Sequence, residues 1–439
     1  MKSGREVAVE VLDEVFFKKA YSNIALNNAL NKSNVRDIDK GLITELVYGT
    51  LKHKYTIDEI IKAITGRNIR DIDKFSINII RITIYQLKYL SRIPEFAAVN
   101  EAVELTKKRA GIKMASFVNA VVRTYIRGDK KPTFKNIDYK EAFKYSLEPW
   151  MIQSLRKDYG TYSPAIFKGL NERPAVTVRV NCLKGDYDDV FAKLEELGYE
   201  VNEGFVSPDA IEIVRGKSIE ENPLFKEGYI TVQDESAMLV ASIMDLEEGF
   251  DVLDVCAAPG GKTTHIAELM NNKGKVVACD IHENKLKLVE ENAERLGIDI
   301  IETKTYNGEE FNEEFENSFD RVLIDVPCSG LGIIRKKPEI KWEKKESDIS
   351  SIQNIQRNIM KNASKYVKKD GVLVYSTCTL NLKENDGNVK WFLENNPDYE
   401  IEKVFFGALD NMIYDKLGYV TILPNKSMDG FFMAKFRRK

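Results

Sequence analysis

The most informative stretch of the chain is DVLDVCAAPGGKTTH, residues 251–265. It starts as an apolar strand, turns at Pro259, Gly260 and Gly261, and continues as a helix from Thr263. Glycines let a backbone approach a ligand closely, and the first turn of a helix offers unpaired N–H groups. The stretch therefore predicts a strand–loop–helix unit that binds a nucleotide-like ligand.

The sequence around this loop alternates strand and helix patterns. Apolar strands are predicted at 251–258, 275–281, 320–327 and 371–379, with helical patterns between them. This rhythm is typical of a parallel, doubly wound sheet. Residues 228–439 are therefore predicted to form an α/β Rossmann-like domain.

The preceding part of the chain predicts two further domains and a linker, in line with a length of 439 residues. Residues 1–130 carry apolar stripes with helical spacing, which predict an all-α bundle. Residues 131–170 read as a helical linker. Residues 171–227 mix strand and helix patterns and are predicted to form a small α+β module. The protein is thus expected to be multidomain.

Charge is distributed unevenly along an otherwise ordinary globular composition. Residues 1–135 carry 25 Lys and Arg against 15 Asp and Glu, whereas the rest carries 40 against 53. The positive excess favours a polyanionic partner such as nucleic acid, although solvated helix faces are an alternative. The N-terminus shows no signal-peptide pattern and no stretch is long and apolar enough to span a bilayer, so a cytoplasmic protein is expected.

The five cysteines do not predict a disulfide framework or a metal site. They lie at positions 182, 256, 279, 328 and 378, without a C-x-x-C pair, and the chain has only three histidines. Zinc sites and disulfide scaffolds need denser patterns. No metal is therefore expected.

Two kinds of ligand fit the loop. The segment CAAPGGKT departs from the phosphate-loop pattern only at Cys256, and the strand ending at Asp325 could serve a magnesium ion, so an ATPase is a serious alternative. Asp280 weighs against it. This residue ends the second strand of the Rossmann-like domain, where a carboxylate can accept both ribose hydroxyls of a nucleoside-containing cofactor.

Two cysteines follow strands of the same predicted sheet, where ligands bind in open α/β folds. They occur in Asp325-Val326-Pro327-Cys328 and in Ser376-Thr377-Cys378-Thr379. A thiolate that adds to carbon 6 of cytosine makes carbon 5 able to accept a methyl group, and a neighbouring carboxyl can hydrogen-bond the pyrimidine. Spacing alone does not say which cysteine attacks.

These motifs resemble the Sun/Fmu-type RNA cytosine-5 methyltransferases over nearly the whole chain. The matching segments are CAAPGGKT, DVPCSGLG, YSTCTLNLKEN, RPAVTVRVN and LPNKSMDGFFMAKF. The helical N-terminus is similar to a NusB-type RNA-binding domain. The combination resembles bacterial enzymes that methylate cytosine in 16S ribosomal RNA, and implies S-adenosylmethionine as cofactor and RNA as partner. Transfer RNA or another RNA is the alternative substrate, a non-catalytic scaffold is the alternative role, and a monomer is expected.

The resemblance also implies roles for individual residues. Cys378 would be the nucleophile and Cys328 the helper in product release, although DNA cytosine methyltransferases use the cysteine that corresponds to Cys328. Asp325 would lie between cofactor and base, and Asp280 would hold the ribose. Asn307 stands where the family often has an aspartate near the adenine, and its carbonyl can accept from the adenine amino group. The methionine and ribose part of the cofactor would be lined by Cys256, Ala257, Ala258, Pro259, Gly260, Gly261 and Lys262.

Further candidates for RNA contacts lie on both sides of the Gly loop. In each case solvated charge, a strand edge or core packing is the alternative. They are Arg179, Asn181, Arg335, Lys336, Lys337, Lys341 and Trp342.

Overall fold

The computed structural model describes residues 2–32 and 35–439, which form two compact units. The first comprises residues 1–157 and 334–343, and the second comprises residues 158–333 and 344–439. Of the helices within the described ranges, none is both long and apolar enough to cross a membrane.

The first unit is all-helical, as its apolar stripes predict. Val11, Leu46, Ile61 and Val121 of those stripes are buried in one core. Gly111 interrupts the longest helix with φ 85° and ψ 173°, a backbone conformation that favours glycine. Helices of the N-terminal segment are α1 Gly4–Lys18, α2 Ser22–Lys32, α3 Asp37–Lys52, α4 Lys54–Thr65, α5 Lys74–Tyr89, α6 Glu95–Arg127, α7 Ile137–Tyr145 and α8 Pro149–Tyr159.

The second unit begins with a small antiparallel sheet. Its strand order is β2-β3-β1-β4. Helix α10 contributes Val190 and Leu194 to a core with Val178 and Ile211. The elements are α9 Ser163–Gly169, β1 Val176–Val180, α10 Tyr187–Glu196, β2 Glu200–Glu203, β3 Ala210–Arg215, α11 Pro223–Lys226 and β4 Ile230–Val232.

The larger sheet of this unit has nine strands within the described part of the chain. Its order is β11-β12-β13-β9-β8-β5-β6-β7, with β10 paired to β13. The strands are β5 Asp251–Asp254, β6 Lys275–Asp280, β7 Ile301–Thr305, β8 Phe319–Asp325, β9 Val367–Thr377, β10 Tyr399–Glu402, β11 Met412–Tyr414, β12 Val420–Ile422 and β13 Phe431–Arg438. The remaining helices are α12 Glu235–Ser242, α13 Gly261–Leu269, α14 Glu283–Leu296, α15 Ile340–Glu343, α16 Asp348–Tyr366 and α17 Asp386–Asn395.

Five strands of this sheet are parallel, which confirms the predicted Rossmann-like core. β5 pairs with β6 on one side and with β8 on the other, so the strand order reverses at β5. Ligands bind at such switch points, outside the carboxyl ends of the strands. The structure adds an antiparallel extension to this parallel core. Strand β13 pairs antiparallel with β9, and it also pairs antiparallel with β10 and β12.

Residues 334–343 belong to the helical unit although they follow β8 in the chain. The Glu339 carboxylate accepts hydrogen bonds from the backbone N–H and the hydroxyl of Ser22, at 3.3 and 3.1 Å. The Trp342 ring packs on Phe16, with 5.1 Å between centroids.

The prediction that Lys341 in this segment contacts RNA phosphates is wrong. Lys341 is buried, and its ammonium donates to the carbonyl of Lys52 at 2.8 Å. Burial lowers the pKa of Lys341 to about 7.

Candidate active site

The conformation of the Gly loop requires a glycine at position 260. Gly260 has φ 102°, and a Cβ at this position would lie 3.1 Å from Cα of Val289 in α14. The backbone N–H of Gly260 donates to the carbonyl of Ala257 at 2.8 Å, and that of Ala257 donates to the carbonyl of Cys279 at 2.7 Å. The turn thus lies close against β6 and α14.

Arg179 holds this loop from the small sheet. It is fully buried, and its guanidinium donates to the Glu268 carboxylate at 2.7 and 2.9 Å and to the carbonyl of Gly261 at 2.8 Å. Gly261 and Glu268 both belong to α13. Arg179 therefore fixes the helix that follows the Gly loop.

The prediction that Arg179 and Asn181 contact RNA is wrong for both residues. Asn181 is also fully buried, and its amide donates to the carbonyls of Gly228 and Leu296, each at 2.9 Å. Both side chains use their polar groups inside the second unit, because strand β1 packs against other elements there.

A cavity of about 300 Å³ lies beyond the carboxyl ends of the central strands. It brings together five of the predicted cofactor residues, namely Cys256, Ala258, Asp280, Asn307 and Asp325. The other predicted cofactor residues belong to the same loop but do not line this cavity: Ala257, Pro259, Gly260, Gly261 and Lys262.

The polar groups of the cavity are partly engaged by their neighbours. The Asp280 carboxylate accepts from the backbone N–H of His282 through Oδ1 at 2.9 Å. The Asn307 carbonyl accepts from the N–H of Glu309 at 3.2 Å, and its amide donates to Glu310 at 3.0 Å. Both side chains still line the open space, so a carboxylate and an amide face the same cavity.

Asp325 is gripped from two sides. The Lys262 ammonium donates to Oδ2 at 2.6 Å, and the Ser376 hydroxyl donates to Oδ1 at 2.7 Å. Burial alone would lower the pKa of Lys262, but the Asp325 carboxylate outweighs burial and raises it. The pair is therefore a fixed cation beside an oriented carboxylate.

The two predicted cysteines meet at the ends of adjacent parallel strands. Their sulfur atoms are 3.2 Å apart, because Asp325 on β8 is in register with Ser376 on β9. Both cysteines are half-buried. The contact with Cys378, followed by burial, raises the pKa of Cys328 well above its usual range. Cys328 is thus held as a neutral thiol.

Two other thiols near the cavity, those of Cys256 and Cys279, also have raised pKa values. Burial raises the pKa of Cys279 to about 12 and that of Cys256 well above its usual range. A thiol that stays protonated is a poor nucleophile.

Glu384 is the main residue that sequence reasoning missed. Its buried carboxylate accepts from the backbone N–H of Ser329 and from the Gln356 amide, each at 2.9 Å, and from the Ser329 hydroxyl. The Ser329 hydroxyl also contacts the Thr379 hydroxyl at 2.7 Å. Glu384 thereby ties the residue after Cys328 to the residue after Cys378. It stands in the quoted motif YSTCTLNLKEN, which was the available signal.

A metal has no evident place in this site. Within residues 2–32 and 35–439, no group of three or more His, Cys, Asp and Glu side chains could hold an ion.

Three family matches together cover most of the chain. Residues 241–437 match the family described as 16S rRNA methyltransferase RsmB/F. Residues 2–127 match the NusB family. Residues 148–220 match the ferredoxin-like domain of RsmF/B-like methyltransferases. The predicted NusB-like domain and methyltransferase domain are confirmed.

Relatives match over full length. The probable ribosomal RNA small subunit methyltransferase B of Bacillus subtilis is 38% identical over 100% of this chain and 99% of its own. The ribosomal RNA small subunit methyltransferase B of Escherichia fergusonii is 32% identical over 99% of this chain and 98% of its own.

Solved structures agree with these matches. The crystal structure of PH0851 has a TM-score of 0.85 at 28% identity and covers 99% of this chain and 98% of its own. A methyltransferase homologue from Pyrococcus horikoshii has a TM-score of 0.61 at 27% identity, with 70% of this chain and 100% of its own covered.

These similarities decide between the two ligands that the loop allowed. The matched family consists of methyltransferases, so the ATPase alternative is set aside and the S-adenosylmethionine cofactor is confirmed. The chain belongs to the ribosomal RNA small subunit methyltransferase B family, the S-adenosylmethionine-dependent methyltransferases of ribosomal RNA.

Proposed function

We propose that this protein methylates carbon 5 of a cytosine in 16S ribosomal RNA through a covalent adduct with Cys378. One observation carries the proposal: two sulfur atoms lie 3.2 Å apart beside the ion pair of Lys262 and Asp325. A methyltransferase that acts on oxygen or an exocyclic nitrogen has no need of paired thiols, whereas the ring carbon of cytosine needs a nucleophile to activate it.

The cavity of about 300 Å³ suits the cofactor. Asp280 would accept the ribose hydroxyls, and Asn307 would meet the adenine. The main chain of the loop from Cys256 to Lys262 would follow the ribose and methionine part, which the bare Gly260 backbone allows. When bound, S-adenosylmethionine supplies an electrophilic methyl group.

The protein groups supply the activation. The Cys378 thiolate adds to carbon 6, and the electrons of the carbon 5–carbon 6 double bond make carbon 5 nucleophilic. Asp325, held by Lys262 and Ser376, hydrogen-bonds the pyrimidine edge as charge develops there. After methylation, carbon 5 loses its proton to a base. The carbon 6–sulfur bond then breaks, and the double bond and the thiolate are restored.

The charges around the two sulfurs support Cys378 as the attacking residue. Cys328 stays a protonated thiol, as its raised pKa requires, and can donate its proton toward Cys378. Lys262, the cation paired with Asp325, interacts electrostatically with Cys378. Cys328 would then assist release of the product. As the adduct breaks down, its thiol can protonate the departing Cys378 sulfur or relay a proton to it.

The two cysteine roles are tested by covalent trapping. We expect Cys378→Ala to abolish methyl transfer and to form no adduct. Cys328→Ala should accumulate RNA-bound protein that survives denaturing electrophoresis. The exposed Cys182 lies outside the cavity, so Cys182→Ala is the matched control and should behave like the wild type. An adduct in Cys378→Ala but not in Cys328→Ala would reverse the roles.

The substrate is tested by bisulfite sequencing of ribosomal and transfer RNA from cells with and without the gene. We expect one 16S ribosomal RNA cytosine to lose its protection when the gene is deleted. Protection lost only in transfer RNA would overturn the assignment of the substrate.

A further inference from the structure

The helical unit contains a second, larger cavity of about 750 Å³. It exceeds the cavity proposed for the cofactor, which would hold a nucleoside, so it has room for a nucleotide. Its lining comes from α1, α4, α5, the segment between α4 and α5, and residues 334–343.

One part of this lining is aromatic. Phe16 and Trp342 pack at an angle of 60°, and Phe17 beside Phe16 is 38% exposed. The Lys54 ammonium lies 5.6 Å from the centroid of the Trp342 ring. Exposed aromatic rings with a neighbouring cation are what an unpaired nucleobase stacks on.

The charged part of the lining leaves two cations unused. Asp58 bonds both Arg81, at 2.7 Å, and Lys54, at 2.9 Å. Lys62 pairs with Glu59 at 2.6 Å. The remaining acid, Glu148, has a pKa raised by burial.

Arg70 and Lys74 are the two unused cations. Both are exposed, and neither has an ion-pair partner within the described part of the chain. Lys74 lies 5.1 Å from the centroid of the Phe17 ring, so positive charge stands next to the aromatic surface. This pairing suits a ligand with one flat apolar part and one anionic part.

We infer that this cavity binds one unstacked nucleotide of the RNA substrate, with its base on Phe17 and Trp342 and its phosphate at Arg70 and Lys74. The inference rests on RNA as the substrate and is independent of the cysteine chemistry proposed for the active site. A base inside a duplex is stacked and paired, so the cavity should select single-stranded segments.

The phosphate contacts are tested by fluorescence anisotropy with labelled hexauridylate, in the absence of cofactor. Arg70→Ala/Lys74→Ala should weaken binding about tenfold or more. It should also flatten the salt dependence by about 0.7 in the log–log slope, because the two cations share one phosphate and each single-strand phosphate contact contributes about 0.7. Lys107→Ala/Lys113→Ala removes the same charge from exposed positions on α6 outside the cavity and should change affinity less than twofold. If both double variants weakened hexauridylate binding equally, or if neither weakened it, the inference would be overturned.

The base contact is tested by tryptophan emission. Hexauridylate should quench the wild-type protein, and Trp342→Phe should lose most of this quenching while it still binds within about threefold of the wild type. A perfect RNA duplex should compete poorly. Unchanged quenching in Trp342→Phe would show that the base does not stack there. Neither readout involves methyl transfer, so failure here would leave the cysteine mechanism untouched.

Discussion

At the scale of single residues, Glu384 supports the spacing of the two thiols that the register of β8 and β9 sets. Cys328 and Cys378 lie just beyond the ends of β8 and β9, which pair in parallel. The carboxylate of Glu384 holds Ser329 and Gln356, and Ser329 in turn contacts Thr379. Glu384 therefore adds a second link, besides the strand register, between the segments that carry the two sulfur atoms.

Glu384→Gln should reduce methyl transfer by about tenfold or more, with a smaller effect on folding. An amide replaces one acceptor oxygen by a donor, so it faces donors from Ser329 or Gln356, and a buried unsatisfied group costs about 1–3 kcal/mol. Methyl incorporation and thermal unfolding should be measured on the same samples. Glu394→Gln, an exposed change on α17, should leave both unchanged. Full activity in Glu384→Gln would mean that the loops need no such clamp.

Lys341 makes the stability of the helical unit depend on pH. Its amine titrates near 10.5 in an unfolded chain and near 7 in the folded protein. Between these values the unfolded state binds more protons, so stability rises with pH from about 7 to about 10.5. Below pH 7 both states are protonated, and the penalty is constant.

Lys341→Met removes this proton binding. Its stability relative to the wild type should therefore fall by about 3–4 kcal/mol between pH 7 and pH 10, since each pH unit in this window is worth about 1.4 kcal/mol. Guanidinium denaturation at four pH values measures the difference. Lys337→Met, at an exposed position of the same segment, should run parallel to the wild type. If Lys341→Met also runs parallel, Lys341 is charged in the folded protein.

At the scale of elements, Arg179 fixes strand β1 to helix α13. The buried pair of Arg179 and Glu268 joins the small sheet to the helix that follows the cofactor loop. The bond from Arg179 to the carbonyl of Gly261 lies at the first residue of this helix. The small sheet therefore supports the cofactor loop directly.

Arg179→Met should weaken S-adenosylmethionine binding about tenfold in calorimetry and destabilise the protein by about 3–5 kcal/mol, because it leaves Glu268 buried without a partner. Arg179→Met/Glu268→Met should recover most of the stability, since buried ion pairs are often replaceable by apolar residues. The double variant should still bind the cofactor weakly, because the bond to Gly261 remains absent. If the double variant recovered both stability and cofactor affinity, Arg179 would contribute to stability alone.

The sequence predicts the parallel strands well, and it predicts that Asp280 and Asp325 lie near each other, for a physical reason. Buried parallel strands are continuous apolar runs, and their carboxyl ends meet at one edge, so Asp280 and Asp325 could be placed together. Arg179 could not be predicted. It alternates with valines in VTVRV as an exposed residue would, and its partner Glu268 lies 89 positions away. The strands β10 to β13 escaped prediction because they are mostly short and pair across long separations.

At the scale of the whole molecule, the helical unit is completed by residues that are distant in sequence. Segment 334–343 adds Glu339, Lys341 and Trp342 to the surface of the unit's helices. A fragment of residues 1–157 should therefore fold with an incomplete core around Phe16. The unit's stability should depend on a segment that the fragment lacks.

A synthetic peptide of residues 334–343 should raise the melting temperature of the fragment 1–157 by roughly 4 °C or more at saturation, because a ligand of the folded state stabilises it. Circular dichroism at increasing peptide concentration measures this effect. A peptide with Trp342→Ala should give less than half of it. If neither peptide changed the melting temperature of the fragment, the segment would contribute no binding energy.

The path of the chain also has a genetic consequence. The polypeptide leaves the helical unit after Lys157, re-enters it at Ile334 and leaves again after Glu343. No single break in the coding sequence yields two complete halves, and recombination that exchanged only the N-terminal part would bring in helices unmatched to Glu339 and Trp342. We therefore expect substitutions at these two positions to be inherited together with compensating changes at Ser22 and Phe16.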